Sequence, residues 1–126
     1  MKIIWSVLMA ICCAYSYMAQ AEDAKLAPAP AEAHKVVQEN KAVVIDVREK
    51  EEFEKSHLPG ARSLPLSELK AGKIPEDLPK DKPIYAHCLE GIRAKEAAEI
   101  LNKKGYDAQP MVATFDDLKK EFGTAK

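Results

Sequence analysis

Four apolar residues in unbroken succession, Ala42-Val43-Val44-Ile45, constrain the possible folds of this chain more than any other feature. A strand with one wet face alternates apolar and polar residues, whereas an unbroken β-branched run is the pattern of a strand buried on both faces. Such a strand needs a covering layer on each side. Ile84-Tyr85-Ala86 repeats the pattern, and a third strand is expected around Ala108 to Val112. Helical stretches lie between them. Ala33 to Asn40 reads as a short helix, and Arg48 to Lys55 as a charged one anchored by Phe53 and broken by His57-Leu58-Pro59-Gly60. Ser67 to Ala71 is a further helical turn closed by Gly72, and Pro75 to Pro83 is loop. Ala94, Ala97, Ala98 and Leu101 then fall at the i, i+3, i+4, i+7 spacing of an amphipathic helix, with Gly105 where a C-cap belongs. Thr114 caps a last helix carrying a stripe of Phe115, Leu118 and Phe122. Strands alternating with helices define an α/β domain with a mainly parallel central sheet flanked by helices.

A chain of 126 residues holds one such domain and not two. Its N-terminus stands apart from it. Met1 and Lys2 precede an uncharged run from Ile3, charge resumes at Glu22, and Ala19-Gln20-Ala21 supplies the small-x-small pattern of a signal-peptidase site. Residues 1–21 are therefore expected to be a signal peptide, 22–32 (EDAKLAPAPAE) an extended Ala/Pro-rich linker, and 33–123 the folded domain. The competing reading is an uncleaved membrane anchor. Against it, the run falls short of the ~20 residues that span a bilayer and is weakened by Ser6, Ser16 and Gln20. The expected location is periplasmic or secreted, with no stable membrane association after cleavage. A net charge of −1 with no basic run argues against a nucleic-acid partner.

Cleavage would remove Cys12 and Cys13 and leave Cys88 as the one thiol. A buried cysteine can serve as a small hydrophobe, but the surroundings of this one point to chemistry. Cys88 follows a buried strand, and Leu89-Glu90-Gly91 leads directly into a helix N-terminus. In parallel α/β sheets ligands bind at the carboxyl ends of strands. The amides of such a loop converge into an anion-binding nest that the helix dipole reinforces, and Gly91 permits the positive φ the curl requires. A thiolate or bound persulfide at Cys88 is stabilised there, and Arg93 offers a planar donor fork to an oxyanion. One mature cysteine and three scattered histidines show no metal-ligand spacing, so neither metal nor other cofactor is expected. His87 is adjacent to Cys88, yet neighbours along a strand point to opposite faces, which argues against a Cys–His dyad. His34 has no catalytic context.

At these residues the chain resembles the rhodanese family. Cys88-Leu89-Glu90-Gly91-Ile92-Arg93 matches its C-x-x-G-x-R active-site pattern, Asp46-Val47-Arg48 looks like its D-x-R signature, and His57-Leu58-Pro59-Gly60-Ala61 looks like its G-H-I-P-G-A segment, with Ser56 in place of the first Gly. The resemblance covers roughly Ala33 to Phe122; the size, signal and single domain are similar to the small periplasmic rhodaneses. It implies a monomeric sulfurtransferase in which the Cys88 thiolate takes the outer sulfur of a small donor such as thiosulfate. The amides of Leu89, Glu90, Gly91, Ile92 and Arg93 then hold the persulfide until cyanide or a thiol removes it. Asp46, Arg48, His57 and Gly60 are read as structural, Asp46 satisfying loop donors and His57 hydrogen-bonding within its loop. Two departures from the family pattern stand out. Ala113-Thr114-Phe115 replaces a Gly-Gly turn beside the active loop, and Glu90 places a carboxylate in a loop meant for anions. That carboxylate either tunes donor choice or faces solvent or a nearby cation.

Two other functions compete. A rhodanese-like domain can act as a non-catalytic binding or persulfide-carrier module. His87-Cys88 with a following arginine is also similar to phosphatases of the H-C-x5-R type, which raises phosphatase or arsenate reductase activity. Here Arg93 is the fifth residue after the cysteine, and the shorter loop suits a sulfur atom better than a phosphoryl group.

Overall fold

The apolar runs do become strands buried on both faces. The computed structural model describes residues 25–126; the expected signal segment with Cys12 and Cys13 lies outside them. In chain order the elements are α1 (Pro30–Gln38), β1 (Val43–Asp46), α2 (Lys50–Lys55), β2 (Arg62–Ser63), α3 (Leu66–Lys70), β3 (Pro83–His87), α4 (Ile92–Lys103), β4 (Asp107–Pro110) and α5 (Phe115–Phe122). The strands form one sheet in the order β2-β1-β3-β4, and every pair is parallel.

Alternation along the strands sorts the core into two layers. Ile45, Val47, Ile84, Ala86 and Ala108 face one side, where Leu66 and Leu69 of α3 and Ala94, Ala97, Ala98 and Leu101 of α4 cover them. Val44 and Tyr85 face the other, against Ala33 of α1 and Phe115, Leu118 and Phe122 of α5. The apolar i, i+3, i+4, i+7 stripe of α4 is thus fully buried, and at about 25 cal/mol per Å² this burial is the main favourable term holding the layers together.

The expected strand at Ala108 to Val112 is Asp107–Pro110 and the helix read from Ala94 begins at Ile92, but two larger differences from the sequence expectation stand out. The sheet has a fourth strand, β2, only two residues long. No apolar run announces it; it forms because β1 leaves an edge free, and Leu64 N–H donates to Asp46 O at 2.9 Å just beyond it. The first helix begins at Pro30 and not at Ala33, so residues 30–32 of the expected linker are helical. Proline at the first helical position has its φ preset and loses no hydrogen bond there. Further back, Ala27 N–H donates to Pro110 O at 3.1 Å, and the Asn102 side chain bonds both the N–H and the C=O of Ala108 at 2.7 and 3.0 Å. Near the C-terminus, His57 and Ala125 pair as an isolated antiparallel bridge.

Candidate active site

The strand order reverses direction between β1 and β3, so their carboxyl ends open the crevice where α/β sheets bind ligands. Asp46 and His87 pair in register there, and Cys88 follows immediately. Cys88 is 2% exposed, and its Sγ accepts the Gly91 N–H at 3.0 Å. Gly91 caps α4 in the left-handed region, with φ +98° and ψ −13°. That conformation turns the amide inward onto the sulfur and is one that only glycine adopts without strain. A Cβ at Gly91 would also stand 3.2 Å from Val112 Cα, so the chain leaving β4 forms a wall against the loop. The wall is completed by Phe115, whose N–H donates to Leu89 O at 2.9 Å. Ala113-Thr114-Phe115 therefore supports the loop even though the expected Gly-Gly turn is missing.

Above the sulfur lies a cleft of about 260 Å³ lined by Cys88, Leu89, Glu90, Ile92 and Arg93. Of the loop residues singled out in the sequence, all but the buried Gly91 line it. Two of its lining residues are exposed and apolar, Leu89 at 50% and Ile92 at 75%, and Val112, beside Gly91, is 52% exposed. Glu90 is exposed and makes no ion pair among the described residues. Arg93 does not reach freely into the cleft. Its Nη1 and Nη2 donate to Oε1 and Oε2 of Glu52 at 2.9 and 3.3 Å. Glu52 lies in α2, and its Oε1 also accepts the Glu49 N–H at 3.3 Å. The Arg93 fork holds the Glu52 carboxyl below the usual carboxylate range, and Glu52 in turn raises Arg93. Sequence reasoning missed Glu52, which stood unremarked in a charged helix. The one local signal was the Glu49-x-x-Glu52 spacing of a reciprocal helix cap.

Asp46 and Arg48 lie beneath the crevice and bind each other. Arg48 Nε donates to Asp46 Oδ1 at 3.0 Å, its Nη2 to Oδ2 at 2.8 Å, and its backbone N–H to Oδ1 at 3.0 Å. The guanidinium also donates to Ser56 O and lies 4.0 Å from the centroid of the Phe115 ring. Both side chains are almost wholly buried, so removing either would strand a charge, at a cost of about 3–5 kcal/mol. His57 Nδ1 donates to Phe53 O at 2.9 Å, its ring stacked on Phe53, and Gly60 turns the chain at φ +76°. None of these four lines the cleft. His87 projects to the face opposite Cys88, stacked on Phe115 with centroids 5.7 Å apart. Its Nε2 is 3.7 Å from Asp46 Oδ2, and neither ring nitrogen has a hydrogen-bond partner. Burial drives its pKa down, with the Asp46 carboxylate opposing.

A parallel α/β domain that carries a recessed cysteine, capped by the Gly91 amide, on a short loop at the sheet's switch point defines a class of small cysteine-loop proteins. Within it, a model of the Rhodanese-like domain matches residues 29–116, and the chain belongs to that family. The YqhL protein of Bacillus subtilis is 48% identical over 65 residues, 52% of this chain and 50% of its own length. Such curated relatives are about twice as long as the region they share with this chain. The thiosulfate sulfurtransferase GlpE of Coxiella burnetii is 28% identical over 95 residues, covering 75% of this chain and 87% of that one. The single-domain sulfurtransferase RDL2 of Saccharomyces cerevisiae superposes with a TM-score of 0.67 at 23% identity, over 82% of this chain and 94% of that one. That last likeness is one of fold alone. The family's chemistry is sulfur transfer between small donors and acceptors.

Proposed function

We propose that the protein is a sulfurtransferase that moves a sulfane sulfur from thiosulfate or a similar donor to cyanide or a thiol through a persulfide on Cys88. The observation that carries this reading is the Cys88 Sγ recessed at the floor of the loop with the Gly91 amide on it at 3.0 Å. In the first half-reaction the Cys88 thiolate attacks the outer sulfur of thiosulfate. The new S–S bond forms as the old one breaks, and sulfite leaves with the bonding pair. The persulfide then sits among the amides from Leu89 to Arg93, which stabilise its charge. An acceptor thiolate or cyanide attacks the terminal sulfur and releases the Cys88 thiolate, a double displacement with ping-pong kinetics. The C-x-x-G-x-R loop is one residue shorter than the phosphatase cradle, and its arginine is held by Glu52, which disfavours phosphoryl transfer.

The test is intact-mass analysis after thiosulfate treatment, paired with a thiocyanate assay. Wild type should gain one sulfur, about 32 Da, and turn over with cyanide, and Cys88→Ser should do neither. Residual turnover in the variant would overturn the mechanism. A stable adduct without turnover would leave the domain as a carrier.

A further inference from the structure

The one guanidinium at the cleft is already engaged. Both terminal nitrogens of Arg93 reach Glu52, and Glu90 adds a second carboxylate on the loop itself. Glu52 with Arg93 sums to zero, so with Glu90 the mouth carries about one negative charge before Cys88 ionises. Leu89 and Ile92 line it and Val112 stands beside Gly91, three of the four exposed large hydrophobic residues among the described residues. Among the residues that line the cleft, a dianion meets no unpaired side-chain cation and has only the loop amides to bind. It must either break the pair or bind with those amides alone to offset the repulsion of Glu90. The pair is held in place: Glu52 is fixed from behind by the Glu49 amide, and Arg93 by its position in the first turn of α4.

We propose that Glu52 is a specificity-determining residue: by holding Arg93 in a neutral pair it turns the cleft away from dianionic sulfur donors and towards donors with one charge and an apolar body. This rests on Cys88 being the sulfur-accepting thiol. An aryl thiosulfonate, R–SO2–S⁻, has that chemistry. Its outer sulfur passes to the Cys88 thiolate as the S–S bond breaks, the sulfinate R–SO2⁻ departs with the electron pair, and charge balances. The apolar R group lies against Leu89 and Ile92 instead of seeking a counter-ion.

The experiment compares wild type with Glu52→Gln, which keeps an oxygen to accept the Glu49 N–H and removes the charge. Glu52→Gln should raise kcat/KM for thiosulfate several-fold through KM, with the gain shrinking as salt rises, and change benzenethiosulfonate by less than about twofold. Adding Arg93→Gln should cancel the gain, because the freed cation is its source. A second readout needs no sulfur transfer. The rate of Cys88 alkylation by anionic iodoacetate relative to neutral iodoacetamide should rise several-fold in Glu52→Gln at low salt. Equal changes for both donors, or an unaltered alkylation ratio, would overturn the role of Glu52 while leaving the persulfide reading intact. Failure of wild type to form a persulfide from either donor would overturn that reading instead, and the alkylation ratio would still decide the charge at the mouth.

Discussion

Gly91 concentrates three demands in one residue: a left-handed φ, an amide aimed at Sγ, and the lack of a Cβ, which would stand 3.2 Å from Val112 Cα. Gly91→Ala should therefore lose roughly 1–3 kcal/mol of stability by urea denaturation and lose sulfur transfer more severely than stability. Unimpaired turnover in that variant would show that the loop reshapes without cost. His87 makes a different prediction. Burial keeps it neutral in the fold, whereas the unfolded chain takes up a proton near the ordinary value of 6.5. Below that pH the unfolded state binds the extra proton, so stability rises with pH towards 6.5 and is lost as pH falls beneath it. The unfolding free energy from urea denaturation should drop between about pH 7 and pH 5.5, by at most about 1.4 kcal/mol per pH unit, and His87→Leu should flatten that slope. An unaltered slope would assign it to other groups. The residue alphabet alone could not have shown the pairing of Glu52 with Arg93, which meet across 41 positions of sequence.

At the scale of elements, what could be read in advance was what is local. Thr114 was identifiable as a cap from its place before Phe115-Asp116-Asp117, and its Oγ1 does accept the Asp117 N–H at 3.2 Å. The passage from β3 through Cys88 into α4 was legible because strand, glycine and helix period follow one another without a gap. β2 was not, since two residues carry no period and owe their pairing to β1. The start of α1 was hidden for another reason: Ala and Pro suit both a tether and the first turn of a helix. The join between α5 and the loop gives the prediction at this scale. Thr114→Ala should cost about 1 kcal/mol in thermal denaturation. It should also slow persulfide formation, because the next amide, Phe115 N–H, fixes Leu89 O. A stability loss with unchanged persulfide kinetics would mean that α5 buttresses the fold without setting the loop.

For the whole molecule we propose export, on the strength of the uncharged run from Ile3 and the Ala19-Gln20-Ala21 site. N-terminal sequencing of the protein recovered from its host should begin at Glu22, and a mature form retaining Met1 in the membrane fraction would refute this. A protein outside the cell's chaperones has to keep its own sheet from growing, and β4 shows how this is done. Met111 N–H turns inward to Ala86 O, so the groups of Ala108 and Pro110 face outward. Asn102 takes both those of Ala108, Ala27 takes the carbonyl of Pro110, and proline has no N–H to offer. The opposite edge, β2, is two residues long. A second chain seeking to add a strand finds no open ladder on β4 and almost none on β2, so among the described residues the usual nucleus of fibrous self-assembly is missing.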